Sequence, residues 1–155
     1  GRGFNYAMDI LDSSRIIIAA QCVGIGQSAL EAAVRYAQQR ETFGKPIAQH
    51  QAIQFMLAEM ATAVHGARIA TMNAATLKDE GLPFVNEASM AKLIASEMCV
   101  DVSSKAMQVH GGIGYFQDAG VERIFRDARV TTIYEGTSEV QKLIIARQIL
   151  AQYPL

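Results

Sequence analysis

The sequence predicts an all-α protein, an up-down bundle of four main helices. Three observations predict it. Apolar residues recur at helical spacing over three long stretches. The three prolines, Pro46, Pro83 and Pro154, fall where that pattern breaks. β-branched residues occur in short runs, but no extended alternation of apolar and polar residues marks a strand.

The first helix is expected from about Asp12 to Arg40, with Ile16, Ala20, Val23, Leu30, Val34 and Ala37 as its apolar stripe. Gln27 interrupts that stripe. Gly24 and Gly26 sit inside it, where each costs up to about 1 kcal/mol relative to alanine. Close approach of a neighbouring helix explains both. Glu41 to Pro46 reads as a loop, with Gly44 and Pro46 as turn signals. The second helix is expected from His50 to Asp79, on the stripe Ile53, Leu57, Met60, Val64, Ala67 and Ala74. Gly81-Leu82-Pro83 ends it.

Asn86 is the expected cap of a third helix from Glu87 to Val109. Ala88, Ala91, Ala95, Met98, Val102, Ala106 and Val109 line that helix. A glycine-rich break follows from His110 to Tyr115. A short helix fits Val121 to Arg129, where mixed charges form local ion pairs. Thr131, Thr132 and Ile133 are poor helix formers, so the chain is expected to extend there before a bend at Glu135. The last helix runs from Glu139 to Gln152, and Ser138 with Gln141 reads as its capping box.

Composition narrows the function classes. Half of the 155 residues are apolar, enough for one domain with its own core. Fourteen basic and 15 acidic residues nearly cancel, which excludes a basic nucleic-acid field and an acidic disordered tail. Cys22 and Cys99 lie far apart in apolar patterns and are expected to be reduced and buried. No stretch reads as long and apolar enough to cross a bilayer, and no signal peptide precedes the first element. The chain opens on Gly1-Arg2-Gly3 rather than methionine, as expected of a processed chain or a piece of a larger one.

Four groups of residues could carry chemistry. Glu135, between Tyr134 and Gly136, sits on a bend before a helix start. It is either a surface acid stabilised by the helix dipole or a general base beside N–H donors for an oxyanion. Arg40 ends a helix, which stabilises a cation in any case, and its guanidinium could also grip phosphate. The glycines after Gln108 follow a helix rather than a strand, so a dinucleotide fingerprint is rejected and helix termination is the default. His110 has no ligand partner at metal spacing, and His50 and His65 read as structural or solvated.

Taken together, these stretches resemble the C-terminal helical domain of the acyl-CoA dehydrogenases. The resemblance covers nearly the whole chain, residues 1–155, and its pieces occur in the family's order. They are Gly3-Phe4, Leu11-Asp12-Ser13-Ser14-Arg15, Arg40-Glu41-Thr42-Phe43-Gly44-Lys45-Pro46 and His50-Gln51-Ala52-Ile53-Gln54. Gln108 to Tyr115, Arg126-Asp127-Ala128-Arg129 and Ile133-Tyr134-Glu135-Gly136-Thr137-Ser138 complete the set. Ala88-Ser89-Met90-Ala91-Lys92 and Gly136 to Glu139 look closest to the short-chain and short-branched-chain members.

The resemblance implies an FAD-dependent oxidoreductase of fatty acid β-oxidation. It would introduce a trans double bond between Cα and Cβ of an acyl-CoA and pass electrons to electron-transferring flavoprotein. Glu135 falls on the family's catalytic base, removing the α-proton while the β-hydrogen leaves as hydride to the flavin. The Glu135 N–H falls on the thioester clamp, Gly136 permits close approach, and Tyr134 walls the pocket. Some members carry the base on the first helix instead. That position is Ser14 here, which is no carboxylate.

Asp12 and Arg15 match substrate contacts. Arg40, Thr42, Phe43, Gln51, Gln108, Gly111 and Gly112 match FAD contacts that reach a neighbouring subunit's cofactor in a homotetramer. Thr137, Ser138 and Glu139 match the adenosine side of the FAD, while the position of His110 varies in the family. No metal, nucleic acid or membrane span is expected. The family's N-terminal helical and middle β-domains are expected to lie outside this chain, leaving the isolated polypeptide inactive and poor at holding FAD. Location is expected to be the cytoplasm in a bacterium or archaeon and the mitochondrial matrix in a eukaryote. An acyl-CoA oxidase-like flavoprotein domain and a non-catalytic helical oligomerisation module are the alternatives.

Overall fold

The computed structural model describes residues 1–153, so the helix break expected at Pro154 lies outside the described residues. Five helices carry the chain: α1 (Gly3–Gln39), α2 (Gln51–Asp79), α3 (Val85–His110), α4 (Val121–Val130) and α5 (Ser138–Gln152). The all-α expectation holds, with α1, α2, α3 and α5 as the main helices. α1, α2 and α3 pack on one another, while α4 and α5 lie mainly against α3. Short connections make α2 the neighbour of both α1 and α3.

α1 begins nine residues before the expected start, at Gly3 rather than Asp12. Asp12, the expected start, lies well inside the helix, and one turn on from Leu11 the Ser14 hydroxyl lies 3.0 Å from the Leu11 carbonyl. The buried stripe also differs from the expected one. Ala20 is exposed, and Ala19, Cys22, Gly26, Ala29, Ala33 and Ala37 face inward. Close packing explains only one of the two glycines. A Cβ on Gly26 would lie 2.6 Å from Met98 Sδ, whereas one on Gly24 would meet open space.

α1 also corrects the expectation on bilayer length. It is long and apolar enough by length and composition to cross a membrane, but it serves here as a core helix along α2 and α3.

The expected loop after α1 is a minimal antiparallel hairpin, β1 (Glu41–Thr42) and β2 (Lys45–Pro46). Phe43 and Gly44 both take positive φ, 55° and 77°, the geometry that a two-residue hairpin turn demands. α2 ends as expected. Gly81 takes a φ of 69°, and the N–H groups of Gly81 and Leu82 donate to the Lys78 and Leu77 carbonyls in a Schellman pattern.

All seven residues expected to line α3 are buried. Asn86 does not cap it. The helix starts at Val85, and Phe84 takes the cap position without a side-chain bond. A second buried stripe, one residue along from the apolar one, was not anticipated: Ser89, Lys92, Ser96, Cys99 and Ser103. α3 is therefore buried over a wide arc, apolar on one side and polar on the other.

α4 closes with ion pairs from Arg126 to Glu122 at 2.7 Å and Arg123 to Asp127 at 3.7 Å, as the mixed charges implied. The expected extension at Thr131–Ile133 is a turn instead. The N–H groups of Thr131, Ile133 and Tyr134 donate back to the Ala128 and Val130 carbonyls, which satisfies the end of α4 locally.

Candidate functional site

The turn after α4 delivers Glu135 to a bend in left-handed conformation, with φ 54°. For a non-glycine residue that geometry costs about 1–3 kcal/mol and persists only where the surroundings over-determine it. Here they do. The Glu135 carbonyl accepts from Gln141 Nε2 at 3.3 Å, and the Gly136 carbonyl accepts from Gln141 Nε2 at 3.0 Å and from Lys92 Nζ at 2.8 Å. Gly136 has a φ of 89°, and a Cβ there would strike Gln141 Nε2 at 2.6 Å. Only glycine meets both constraints.

The helix start differs in detail from the expected capping box. Thr137 is the N-cap of α5, and its Oγ accepts from the Val140 N–H at 3.4 Å. Ser138 instead donates to Glu97 Oε1 at 2.6 Å. Gln141 does reach back, but to two carbonyls rather than to the cap N–H. Glu139 is exposed in the first turn, and hydrogen bonds from its own N–H and from Thr137 hold its carboxyl below the usual range.

Ser14 meets the Glu135 side chain. Its hydroxyl lies 2.6 Å from Glu135 Oε2, against 3.0 Å to the Leu11 carbonyl. Of its two acceptors the carboxylate oxygen is the nearer. The Ser14 hydroxyl and the Glu135 carboxylate are thus in direct contact across α1 and the bend. Tyr134 flanks the carboxylate and donates its hydroxyl to Gln21 Oε1 at 2.8 Å. Burial raises its phenol pKa.

Asp12 and Arg15 stand one turn apart on the same helix. Arg15 is 3% exposed, and its Nη1 pairs with Asp12 Oδ1 at 2.5 Å and approaches Ser89 Oγ at 3.5 Å. Its Nε is buried without a partner. The guanidinium therefore faces the α1–α3 seam and reaches the surface through Asp12.

The second group assembles elsewhere. Arg40, Thr42, Gly111 and Gly112 line a cavity of about 390 Å³ together with Tyr36 and His110. His110 stacks on Tyr36 with ring centroids 4.3 Å apart and Nδ1 2.7 Å from the Ala106 carbonyl, so its ring is structural. Gln108 borders an adjoining cavity of about 420 Å³ with Gly111, Gly112, Tyr115 and Phe125. Gly111 has a φ of 62°, and neither glycine would place a Cβ near other atoms. Phe43 stands 96% exposed at the hairpin tip, and Gln51 is the exposed first residue of α2. Thr42 Oγ1 lies 3.1 Å from His50 Nε2, which ties the hairpin to that helix start.

Thr137, Ser138 and Glu139 line a third cavity, of about 230 Å³, with Glu97, Arg129 and Thr132. The predicted site residues thus fall into three clusters rather than one pocket. Sequence reasoning missed Lys92, Gln21 and the Ser14–Glu135 contact. The signal for Lys92 was present, since it keeps helical register with Ser89, Ser96, Cys99 and Ser103.

Comparison with known proteins bears on the family and the fold. The family model for the acyl-CoA dehydrogenase C-terminal domain matches residues 1–150. The chain is 52% identical to short-chain specific acyl-CoA dehydrogenase, mitochondrial, of Bos taurus, over 99% of this chain and 37% of that protein. It is 49% identical to a subunit of the caffeyl-CoA reductase–Etf complex of Acetobacterium woodii, over 96% of this chain and 39% of that protein. Butyryl-CoA dehydrogenase of Megasphaera elsdenii superposes with a TM-score of 0.96 at 45% identity, over 97% of this chain and 39% of that one. The chain therefore spans well under half the length of these relatives.

Proposed function

The chain belongs to the acyl-CoA dehydrogenase family as its C-terminal helical domain, and we propose that it supplies the catalytic base and part of the flavin surface of an enzyme that dehydrogenates an acyl-CoA at Cα–Cβ. One observation carries the proposal. Glu135 is a half-buried carboxylate on a left-handed bend whose carbonyls are both bound inward by Lys92 and Gln141.

A thioester α-proton is weakly acidic, so removing it requires a positioned base and stabilisation of the enolate oxygen. Glu135 takes the proton. With the Glu135 and Gly136 carbonyls held inward, the planarity of each peptide turns the next N–H, of Gly136 and of Thr137, the opposite way. The Glu135 N–H is the family's clamp on the thioester oxygen. Ser14 holds the carboxylate in place until substrate arrives. Tyr134, tied to Gln21, walls the site.

The clefts fit FAD on their donor chemistry. Arg40 offers a guanidinium suited to bidentate phosphate binding, and the open glycines Gly111 and Gly112 let backbone N–H groups approach an anion. Thr42 and Gln108 line the clefts on that side; with Phe43 and Gln51 they would hold the cofactor there, and Thr137, Ser138 and Glu139 would meet it from another side. Bound there, FAD supplies the acceptor for the β-hydrogen as hydride.

Clusters that line separate cavities suit a homo-oligomer in which a chain serves its own flavin and a neighbour's. Leu143, Ile149 and Leu150 are exposed on α5 and provide apolar surface for such contacts. Protein outside this chain would complete the flavin pocket. The acceptor is electron-transferring flavoprotein, a reading supported by the relative whose name places it in an Etf complex. That relative's reductase name also favours a second direction, in which protonated Glu135 returns a proton to Cα of an enoyl-CoA.

The test is Glu135→Gln in the flavin-loaded protein that contains this chain, assayed with butyryl-CoA and a dye acceptor. Turnover should fall about 10²–10⁴-fold, the usual contribution of a general base. Unchanged turnover would remove Glu135 from the chemistry.

A further inference from the structure

Lys92 is the largest of the fully buried side chains, with 0% of its surface exposed. A buried ammonium carries a desolvation penalty, and an apolar side chain of similar volume would avoid it. An ion pair could offset the penalty, but among the described residues Lys92 forms none. Arg15, Cys22, Cys99 and Glu97 are the charged and titratable groups around it, and Arg15 is another cation. The Glu97 carboxylate is already engaged by Ser138. Among the described residues the one hydrogen bond of the ammonium goes to a backbone oxygen, that of Gly136, at 2.8 Å. So costly an arrangement on so small a target calls for a role beyond packing.

Gly136 follows Glu135 directly, and its carbonyl is the fulcrum of the bend. Gln141 grips the same oxygen from α5, and Lys92 grips it from α3. Two independent helices thus meet on one carbonyl, and the left-handed φ of Gly136, immediately after Glu135, lies between the two peptides that are held. With Lys92 removed, Gln141 alone restrains the Gly136 peptide, and the glycine adds no side chain to limit its rotation. The Glu135 side chain and N–H would then sample several orientations. An ammonium on a carbonyl also polarises that peptide and strengthens the Thr137 N–H as a donor.

We propose that Lys92 is a positioning residue for Glu135: its buried ammonium, bonded to the Gly136 carbonyl, locks the bend that aims the carboxylate at the substrate α-carbon. The inference rests on the reading of Glu135 as base and adds to it a residue with no contact to substrate. Misplacement of a catalytic group by about 1 Å can cost about 100-fold in rate. A loss of that kind appears in kcat and in kcat/KM equally, because substrate binding itself is untouched.

The experiment uses the flavin-loaded holoprotein with butyryl-CoA and compares Lys92→Met, Lys92→Gln and Glu135→Gln. Lys92→Met removes the donor at similar volume, while Lys92→Gln keeps an N–H donor without the charge. The expected result for Lys92→Met is a kcat lower by about 10–100-fold, with KM, flavin content and melting temperature retained. Lys92→Gln should recover part of that rate. Full kcat in Lys92→Met overturns the proposal, as does a KM effect without a kcat effect. If both lysine variants lose flavin or fail to fold, Lys92 serves the fold and the positioning role is also overturned. The Glu135→Gln arm separates the two levels. If it keeps turnover, the base reading falls and takes this inference with it. If it is inactive while Lys92→Met is fully active, only the role of Lys92 falls.

Discussion

The two sides of α3 solve different problems. On one, Ala91, Ala95, Met98 and Val102 meet α1 and α2 in a seam of small apolar residues. Helices approach closely there, and Met98 fills the space left by Gly26 beside Val64. On the other, Ser89, Lys92 and Cys99 meet Arg15, the Glu135 bend and Thr131 through hydrogen bonds. Cys99 lies 3.3 Å from Thr131 Oγ1, and its thiol is pushed up by its hydrogen bond to Cys22 and by burial. The apolar seam stabilises the bundle. The polar seam forgoes some of that stability to hold one strained residue in one orientation.

Substitutions on the two sides should therefore differ in kind. Gly136→Ala should act most strongly on function. Its Cβ meets Gln141 Nε2 and its φ of 89° disfavours any side chain, so turnover should drop by about 10–100-fold through misplacement of Glu135. Stopped-flow flavin reduction would measure it, and a normal rate would show that the bend tolerates a side chain.

Gly26→Val tests the apolar seam. Overpacking Met98 and Val64 should cost about 1–3 kcal/mol in urea unfolding, with little effect on the rate per folded molecule. A rate loss without a stability loss would erase the distinction between the seams. Thr137→Ala removes the cap of α5 and should cost about 1 kcal/mol, read by the same unfolding. Gly24→Ala, with open space around its Cβ, should stabilise by up to about 1 kcal/mol; a destabilised variant would mean that a contact is made at that face.

The smallest effect expected is on pH dependence. Burial foremost lowers the pKa of Lys92 from its ordinary 10.5, with Cys22 and Glu97 opposing. A cation with a depressed folded pKa binds fewer protons folded than unfolded, so stability rises with pH between the depressed value and 10.5. Wild-type stability measured against Lys92→Met should therefore improve as pH climbs through that window. A flat difference would mean that Lys92 is not desolvated.

The same contrast explains what could be read from the sequence. Helical periodicity in apolar residues located the α3 lining residue by residue, because burial of apolar side chains is what produces that periodicity. The polar stripe kept the same period but was invisible to a count of apolar positions. Boundaries failed where a local bond replaced the expected signal. Thr137 rather than Ser138 caps α5, and Phe43 with Gly44 turns a hairpin where a loop was expected. The place of Glu135 on a bend before α5 was legible from Gly136 and the helix start that follows. Its contacts with Ser14, and through its carbonyl with Gln141, were partly or wholly hidden. Ser14 lies 121 residues away in sequence, and no short motif reports a contact across that distance.

The most direct test is deuterium exchange at Cα of an acyl-CoA whose β-carbon is replaced by sulfur, so that no hydride can leave. Proton removal is then observed alone, by NMR in heavy water with the flavin-loaded protein. The account predicts rapid exchange with Glu135 present and none above background with Glu135→Gln, while the analogue still binds. Exchange that persists in Glu135→Gln would contradict the assignment of Glu135 as the base.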